Sequence, residues 1–156
     1  MGKTTVSRAL ARRLRADHIS IDQILEEKHL WVSGRLDEFL RANLVASRWS
    51  ERALARGRSV VIDGNFYWKG QLRDLSARLG PGLQVFTLVA PLTLCVERDR
   101  ERPGGHGRQA AQAVFARSTR FSWGTRVDAT RPVAAVVRAI VEALRANARR
   151  RAVAGR

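Results

Sequence analysis

Sulfur and long apolar runs are scarce in this sequence, and each scarcity excludes a class of protein. Cys95 is the single cysteine among 156 residues, so the chain forms no internal disulfide and we expect a cytoplasmic protein. No uninterrupted run of about 18 apolar residues occurs, so we predict no membrane-spanning helix. The three histidines are far apart and lack the spacing of metal ligands, so we expect no zinc site.

Lysine is scarce as well, although basic residues far outnumber acidic ones. The formal net charge is +15, yet only three of the 29 basic residues are lysines. A surplus of this size is typical of nucleic-acid-binding proteins. An excess carried by arginine is also typical of proteins from GC-rich genomes, and no aromatic residues suited to base stacking alternate with the basic ones. We favour a solvated basic surface with a phosphate-rich ligand and keep nucleic-acid binding as an alternative.

The first residues match the second half of a phosphate-binding loop, and the first half is lacking. The complete motif reads G-x-x-x-x-G-K-[ST], and Gly2, Lys3 and Thr4 match its last three positions. In such a loop the lysine reaches the β- and γ-phosphates and the threonine hydroxyl binds Mg²⁺. The backbone N–H groups up to Thr5 would lie at a helix N-terminus, which attracts anions. The segment predicts an ATP and Mg²⁺ site, unless Gly-Lys-Thr-Thr precedes an ordinary helix by chance.

Apolar patterns alternate between strand-like runs and helix-like stripes along the rest of the chain. Continuous runs at 59–63 and 84–90 predict buried parallel strands, and the stripe at 133–144 predicts an amphipathic helix after Pro132. This alternation predicts one three-layer α/β/α domain with a parallel sheet over residues 1–150, followed by a basic disordered tail at 151–156. Further elements are predicted as helices at about 6–14, 36–56, 72–79, 91–96 and 113–115, and strands at 18–22 and 125–130.

Seven segments, taken in order, resemble a known family. They are residues 2–5, 21–22, 60–65, 90–92, 98–108, 117–121 and 127–130. Together they resemble the small P-loop kinases of the adenylate-kinase-like superfamily, and most of all its compact branch of zeta-toxin-like and chloramphenicol-phosphotransferase-like kinases. The resemblance implies a P-loop NTPase fold and transfer of the γ-phosphate of Mg-ATP to a hydroxyl of a small molecule.

The resemblance also implies roles for two acids that follow predicted strands. Asp22 would orient the acceptor hydroxyl or take its proton, and its alternative role is to cap a helix. Asp63 would bind Mg²⁺ together with Thr4, or would bind the acceptor, and its alternative role is to cap a turn.

Besides the phosphate loop and the two acids, the resemblance implies a mobile lid at about 98–120. Its arginines would close over ATP and stabilise the transferring phosphate, which needs charge neutralisation more than covalent chemistry. Which arginine makes the contact stays open. A loop before Pro132 would pack the adenine. The residues concerned are Arg98 and Arg102 as catalytic candidates, Arg108, Thr130 and Arg131 as nucleotide-binding candidates, and Arg117 and Arg120 as weaker ones.

One strand of the family's sheet would be missing. The strand before the phosphate loop is central in the family, between the strands that end at Asp63 and Ala90, and its loss leaves a gap of roughly 10 Å. Three explanations remain: a misassigned start with Met1 inside the true loop, a decayed gene, or rearranged strands in a non-catalytic binder. We favour the first, because the remaining site residues are intact.

The acceptor and the assembly state stay open at this stage. Besides a small-molecule kinase, the chain is compatible with a non-catalytic nucleotide- or nucleic-acid-binding protein and with a nucleic-acid 5′-hydroxyl kinase. It is expected to be a monomer or homodimer without membrane contact. Five aromatic residues are candidates for an acceptor pocket: Trp31, Trp49, Phe66, Tyr67 and Trp68, of which Trp49 has helical spacing typical of a core.

Overall fold

Helices and short strands alternate along the chain in a computed structural model that describes residues 2–101, 104–105 and 107–154. A 3₁₀ turn at Gly80–Gly82 follows the fourth helix. The elements are α1 Lys3–Leu14, β1 Asp17–Ser20, α2 Ile21–Glu27, α3 Leu36–Ala55, β2 Val60–Asp63, α4 Lys69–Leu79, β3 Phe86–Val89, α5 Leu92–Arg100, α6 Arg108–Ser118, β4 Thr125–Asp128 and α7 Val133–Ala154.

The helix ends follow the residues that the sequence places there. Gly57 has φ +71° and donates its N–H to the carbonyl of Leu54, so it ends α3 as predicted. The carbonyl of Pro132 accepts from the N–H of Ala135 and Val136, so α7 begins directly after this proline. Helix α7 continues to Ala154, so the disordered tail expected from residue 151 is corrected for residues 151–154.

A second correction concerns the start of α2. Ser20 ends β1 and caps the following helix, because its Oγ accepts from the N–H of Gln23 at 3.4 Å. Asp22 therefore lies in the first turn of α2 and not at the end of a strand. The helix cap proposed as its alternative role is performed by Ser20 instead, which leaves the Asp22 carboxylate available to other partners.

The four strands form two separate parallel pairs. Strand β1 pairs with β2, with Ile19 opposite Ile62, and β3 pairs with β4, with Leu88 opposite Val127. Among the described residues, no pairing joins β2 to β3, as expected if a strand between them is missing. The strands are also less covered than their apolar runs predict, since Val60–Ile62 and all of β3 are only partly buried.

A layer made by α1 and α7 covers both strand pairs. Val61 of β2, Leu88 of β3 and Val127 of β4 belong to one apolar cluster, so the same helix layer contacts both pairs. On the other face of the first pair, α2 and α3 form a second cluster around the fully buried Phe39. The buried side chains of the first cluster are Val6, Leu10, Val127, Val136, Val137 and Ile140. None of the described helices is both long enough and apolar enough to cross a membrane.

Candidate active site

The N-terminus of α1 forms one side of the candidate site. Gly2 has φ +74°, a backbone conformation that glycine adopts readily, and its carbonyl accepts from the N–H of Val6 at 3.0 Å. Lys3 is the first helical residue, so the backbone N–H groups of Lys3, Thr4 and Thr5 lie in the turn that has no intrahelical acceptors. The structure thus gives the matched half of the loop the geometry that anion binding needs.

Asp63 ends β2 beneath this turn and is tied to α1 and β1. Its Oδ2 accepts from the Ser7 hydroxyl at 3.0 Å, and its Oδ1 lies 3.3 Å from His18 Nε2. Oδ1 is buried and accepts no geometrically sound hydrogen bond from the described residues. A buried carboxylate oxygen with spare acceptor capacity, near the exposed Thr4, fits the oxygen-ligand preference of Mg²⁺.

Asp22 faces the same region from the first turn of α2. Its two oxygens accept from the backbone N–H and the side-chain amide of Asn65, at 3.2 and 2.9 Å. Burial raises the pKa of Asp22, while the Asn65 N–H and the charge of Lys3 oppose this rise and the charge of Asp63 adds to it. The structure therefore brings together Lys3, Asp22 and Asp63, the three predicted residues closest to the chemistry.

An aromatic and arginine-lined wall adjoins Asp22. The Arg117 guanidinium lies 4.4 Å from the ring centre of Tyr67 and 5.9 Å from that of Trp68. Burial raises the pKa of Tyr67, the nearby Asp22 charge raises it further, and Arg117 opposes the rise. No described carboxylate forms an ion pair with Arg117, whose Nη2 instead donates to the carbonyl of Gly34 at 3.4 Å. The candidate Trp49 lies elsewhere on α3 and is 36% exposed.

Glu38 holds the loop at residues 30–35 against this wall. Its carboxylate accepts from the backbone N–H groups of Val32, Ser33 and Gly34 and from the Ser33 hydroxyl, at 2.7 to 3.2 Å. The Ser33 hydroxyl and these N–H groups lower the pKa of Glu38 from 4.5 to about 2. The loop places Trp31, which is 49% exposed, in edge contact with Phe39.

Arg98 lies where the sequence expects a lid arginine, but its partners are carbonyl groups. Its Nη1 donates to Ala129 O at 2.8 Å, and its Nη2 lies 3.5 Å from Thr130 O. Thr130 is also fixed by Asp128, whose Oδ1 accepts from its N–H and its hydroxyl. These bonds lower the pKa of Asp128, which lies 3.6 Å from Arg131. In this structure Arg98 orders the proposed adenine loop, and its guanidinium is engaged there rather than open to a phosphate.

The other lid candidates lie at the junction of α5 and α6. Arg108, the first residue of α6, is exposed and borders a cleft of about 720 Å³ between these helices. Asp99 Oδ2 accepts from the N–H of Gly107 at 3.1 Å and so links the end of α5 to the start of α6. The predicted catalytic Arg102 lies outside the described residues, and the exposed Arg120 follows α6.

Sequence reasoning missed four residues that shape the site: Ser7, His18, Glu38 and Asn65 as the partner of Asp22. Ser7 stands four residues after Lys3, a spacing that puts both on one helix face. Asn65 is part of the Asp-Gly-Asn turn that was recognised as a motif without a role. For His18 and Glu38 the sequence carries no local signal, because their contacts depend on how distant elements pack.

Comparisons with known proteins support the same architecture. A family model described as an AAA domain matches residues 1–122. The structure is similar to that of a gluconokinase from Sinorhizobium meliloti 1021, with a TM-score of 0.78 and 20% sequence identity. The likeness covers 99% of this chain and 91% of that chain. No curated protein matches the sequence. The predicted α/β fold of P-loop kinases is confirmed.

Proposed function

The chain belongs to the AAA-domain family, and from this premise we propose that it is a kinase that transfers the γ-phosphate of Mg-ATP to a hydroxyl of a small molecule. The observation that carries the proposal is the convergence of Lys3, Asp22 and Asp63 at the N-terminus of α1. A lysine and the backbone N–H groups of a helix N-terminus would bind phosphates, and two carboxylates would serve the metal and the acceptor. The likeness to a gluconokinase supports a phosphotransferase over a plain binding module.

The nucleotide would lie along the end of α1. Gly2 and the N–H groups of Lys3, Thr4 and Thr5 would surround the β-phosphate, and the Lys3 ammonium would neutralise the β- and γ-oxygens. Thr4 and Asp63 would hold Mg²⁺, which when bound neutralises phosphate charge and orients the phosphates. The loop with Thr130 and Arg131, ordered by Arg98, would pack the adenine, and Arg108 would approach the phosphates from α6.

Asp22 would accept the proton of the acceptor hydroxyl. Its raised pKa makes it a better base than an ordinary aspartate, while the Asn65 bonds fix its direction. The neighbouring wall of Tyr67, Trp68 and Arg117 suits a polar acceptor with apolar faces, because a sugar ring or chain can pack on aromatic groups. The gluconokinase likeness favours sugar acids and related polyols as the first acceptors to assay.

A further strand would complete this site by filling the slot between β2 and β3. In a parallel pair each strand uses alternate residues for one neighbour. Ser59 O accepts from Asp17 N–H and Val85 O accepts from Thr125 N–H, so the odd-numbered residues of β2 and β3 face their partner strands. The amides of Ile62 and Leu88 alternate with them and therefore point away from β1 and β4, toward the slot. Leaving such groups unpaired costs roughly 1–3 kcal/mol each where they are buried. The proposal of a strand that leads into Gly2 rests on these unpaired backbone groups of β2 and β3.

The proposed function is tested by calorimetric titration with Mg-ATP. The titration compares the 156-residue chain with a form extended upstream in its reading frame. We expect tight binding in the extended form, loss of binding in Lys3→Ala, and no change in Lys69→Ala. Lys69 is the matched control, because it is an exposed lysine at the first position of another helix, α4. In the extended form, the amides of Ile62 and Leu88 should become protected from hydrogen exchange.

Two results would contradict the kinase. If Lys3→Ala still binds Mg-ATP as tightly as the wild type, the phosphate loop does not bind the nucleotide as proposed. A folded chain that binds no ATP in either form, but binds single-stranded nucleic acid with a steep salt dependence, would instead support the nucleic-acid-binding alternative. A 5′-hydroxyl kinase acting on nucleic acid would show both the Lys3 requirement and the salt dependence.

A further inference from the structure

Three polar groups compete for one proton beside Asp63. The Ser7 hydroxyl oxygen lies 3.0 Å from each of three atoms: Thr4 O, His18 Nε2 and Asp63 Oδ2. A serine hydroxyl has a single proton and donates it to one acceptor at a time. The bond to the carboxylate is charge-assisted and therefore the strongest of the three. The hydroxyl proton accordingly belongs on the side of Asp63.

The position of the Ser7 proton fixes the tautomer of His18. With its proton directed to Asp63, Ser7 Oγ offers only lone pairs to His18 Nε2. An unprotonated Nε2 would then place its own lone pair against Ser7 Oγ and against Asp63 Oδ1, which is 3.3 Å away. Both contacts become attractive only if Nε2 carries a hydrogen. His18 thus presents an N–H group to the serine and the carboxylate.

We propose that Ser7 and His18 are positioning residues for Asp63. The inference rests on the proposed function, in which Asp63 holds Mg²⁺. Ser7 directs Oδ2 toward α1, and His18 lies against Oδ1, so the carboxylate is held in one orientation. Because Ser7 lies one turn after Lys3, the carboxylate is tied to the same helix that binds the phosphates, and His18 ties it to β1.

The first test measures how Mg²⁺ supports nucleotide binding in variants of the form extended upstream. Ser7→Ala and His18→Leu remove the two donors, whereas Ser7→Thr and His18→Gln retain them. We expect the half-saturating Mg²⁺ concentration at fixed ATP to rise by about 10-fold or more in the first pair, the usual effect of losing a partner of a metal ligand. The donor-retaining pair should stay close to the wild type.

One result would contradict the positioning role alone, and another would contradict the proposed function. If Ser7→Ala and His18→Leu lower Tm but leave the Mg²⁺ requirement unchanged, the inference is wrong and the contacts only stabilise the fold. An extended wild-type form that shows no Mg²⁺-dependent nucleotide binding at all would overturn the proposed function itself, and the positioning role would fall with it.

The tautomer of His18 gives a second test that needs no nucleotide. In ¹⁵N-labelled protein, the side-chain nitrogen signals of His18 should show a hydrogen on Nε2, and Asp63→Asn should shift the Nε2 proton. Observation of the neutral form protonated only at Nδ1 would refute the inference, because Nε2 would then present no hydrogen to the Ser7 hydroxyl or to the nearby carboxylate.

Discussion

Asp22 is the residue at which the structure and the proposed chemistry meet most directly. Replacing it by asparagine removes the base but keeps one oxygen for the Asn65 contacts. We expect Asp22→Asn to lower kcat by about 10²- to 10⁴-fold, the usual contribution of general base catalysis. The measurement is steady-state phosphate transfer. Because burial raises the Asp22 pKa above 3.8, wild-type activity should rise with pH through a midpoint above that value.

The same substitution has the opposite effect on stability. A raised carboxylate pKa means that folding favours the protonated form, so ionised Asp22 costs stability once the pH exceeds its folded pKa. At neutral pH Asp22→Asn should therefore melt at the wild-type temperature or above. Asp37→Asn is the matched control, since Asp37 is an exposed aspartate at the second position of α3. Asp22→Asn with full activity would exclude Asp22 as the base.

The sequence predicts the place of single residues best where a short motif covers them. The charges of Lys3 and Asp63 both act on the pKa of Asp22, so the two residues lie in one region, as the phosphate-loop and strand-end patterns indicate. Ser7 and His18 were missed, because their contacts form only when β1 packs beside β2 under α1. Arg98 lies within the predicted lid range but has unexpected partners, the carbonyls of Ala129 and Thr130. A helical pattern in the sequence indicates the helix face on which a side chain lies, but not the distant group that it contacts.

At the level of elements, Glu38 determines the shape of the loop at 30–35. Its folded pKa of about 2 lies below the ordinary 4.5, so its stabilisation is complete above about pH 4.5 and is lost as the pH falls toward 2. Glu38→Gln should lower Tm at pH 7, and the gap to the wild type should shrink at pH 3. Thermal melts at both pH values test this, with the exposed Glu142→Gln as control. A gap that is independent of pH would argue against the carboxylate.

Arg98 connects helix α5 to the loop between β4 and α7. Arg98→Ala would leave the carbonyl of the buried Ala129 without its donor, at a cost of about 1–3 kcal/mol in the free energy of unfolding, while the exposed contact to Thr130 O adds little. We also expect a weaker affinity for ATP with little change in kcat, because the loop is proposed to pack the adenine. Urea unfolding and ATP titration measure the two effects. The exposed Arg138→Ala on α7 should change neither, and a large loss of kcat in Arg98→Ala would favour the phosphate role instead.

The elements themselves were largely predictable, and their ends less so. Apolar runs located β2 and β3, and the stripe after Pro132 located α7, because each pattern repeats over several residues. The boundary between β1 and α2 was misplaced, since Ile19 and Ile21 read as one apolar run while the Ser20 cap starts a helix between them.

At the scale of the whole molecule, the net charge of +15 is the dominant electrostatic feature. Mutual repulsion of the arginines opposes folding, and salt screens it. We expect Tm to rise as NaCl increases from about 0.05 M to about 0.5 M, where the screening length falls well below 10 Å. Differential scanning calorimetry measures this. A Tm that falls with salt would mean that ion pairs such as Arg58 with Asp17 outweigh the repulsion.

The α/β architecture of the whole molecule followed from the order of the motifs. Alternating strands and helices predicted the α/β fold, and the resemblance predicted unpaired neighbours on either side of one strand. The sequence did not reveal that a layer of α1 and α7 covers both pairs, because that depends on distant residues such as Leu10 and Val137 joining one cluster.

The interrupted sheet also bears on how copies of the molecule treat one another. The facing edges of β2 and β3 carry backbone donors and acceptors that any extended segment can join, whether it belongs to the same chain or to a neighbour. Copies that each carry +15 repel at low ionic strength, which keeps such edges apart. The arginine-rich surface thus keeps copies apart by charge repulsion. Salt screens this repulsion, so the same salt that stabilises each folded molecule also makes self-association easier.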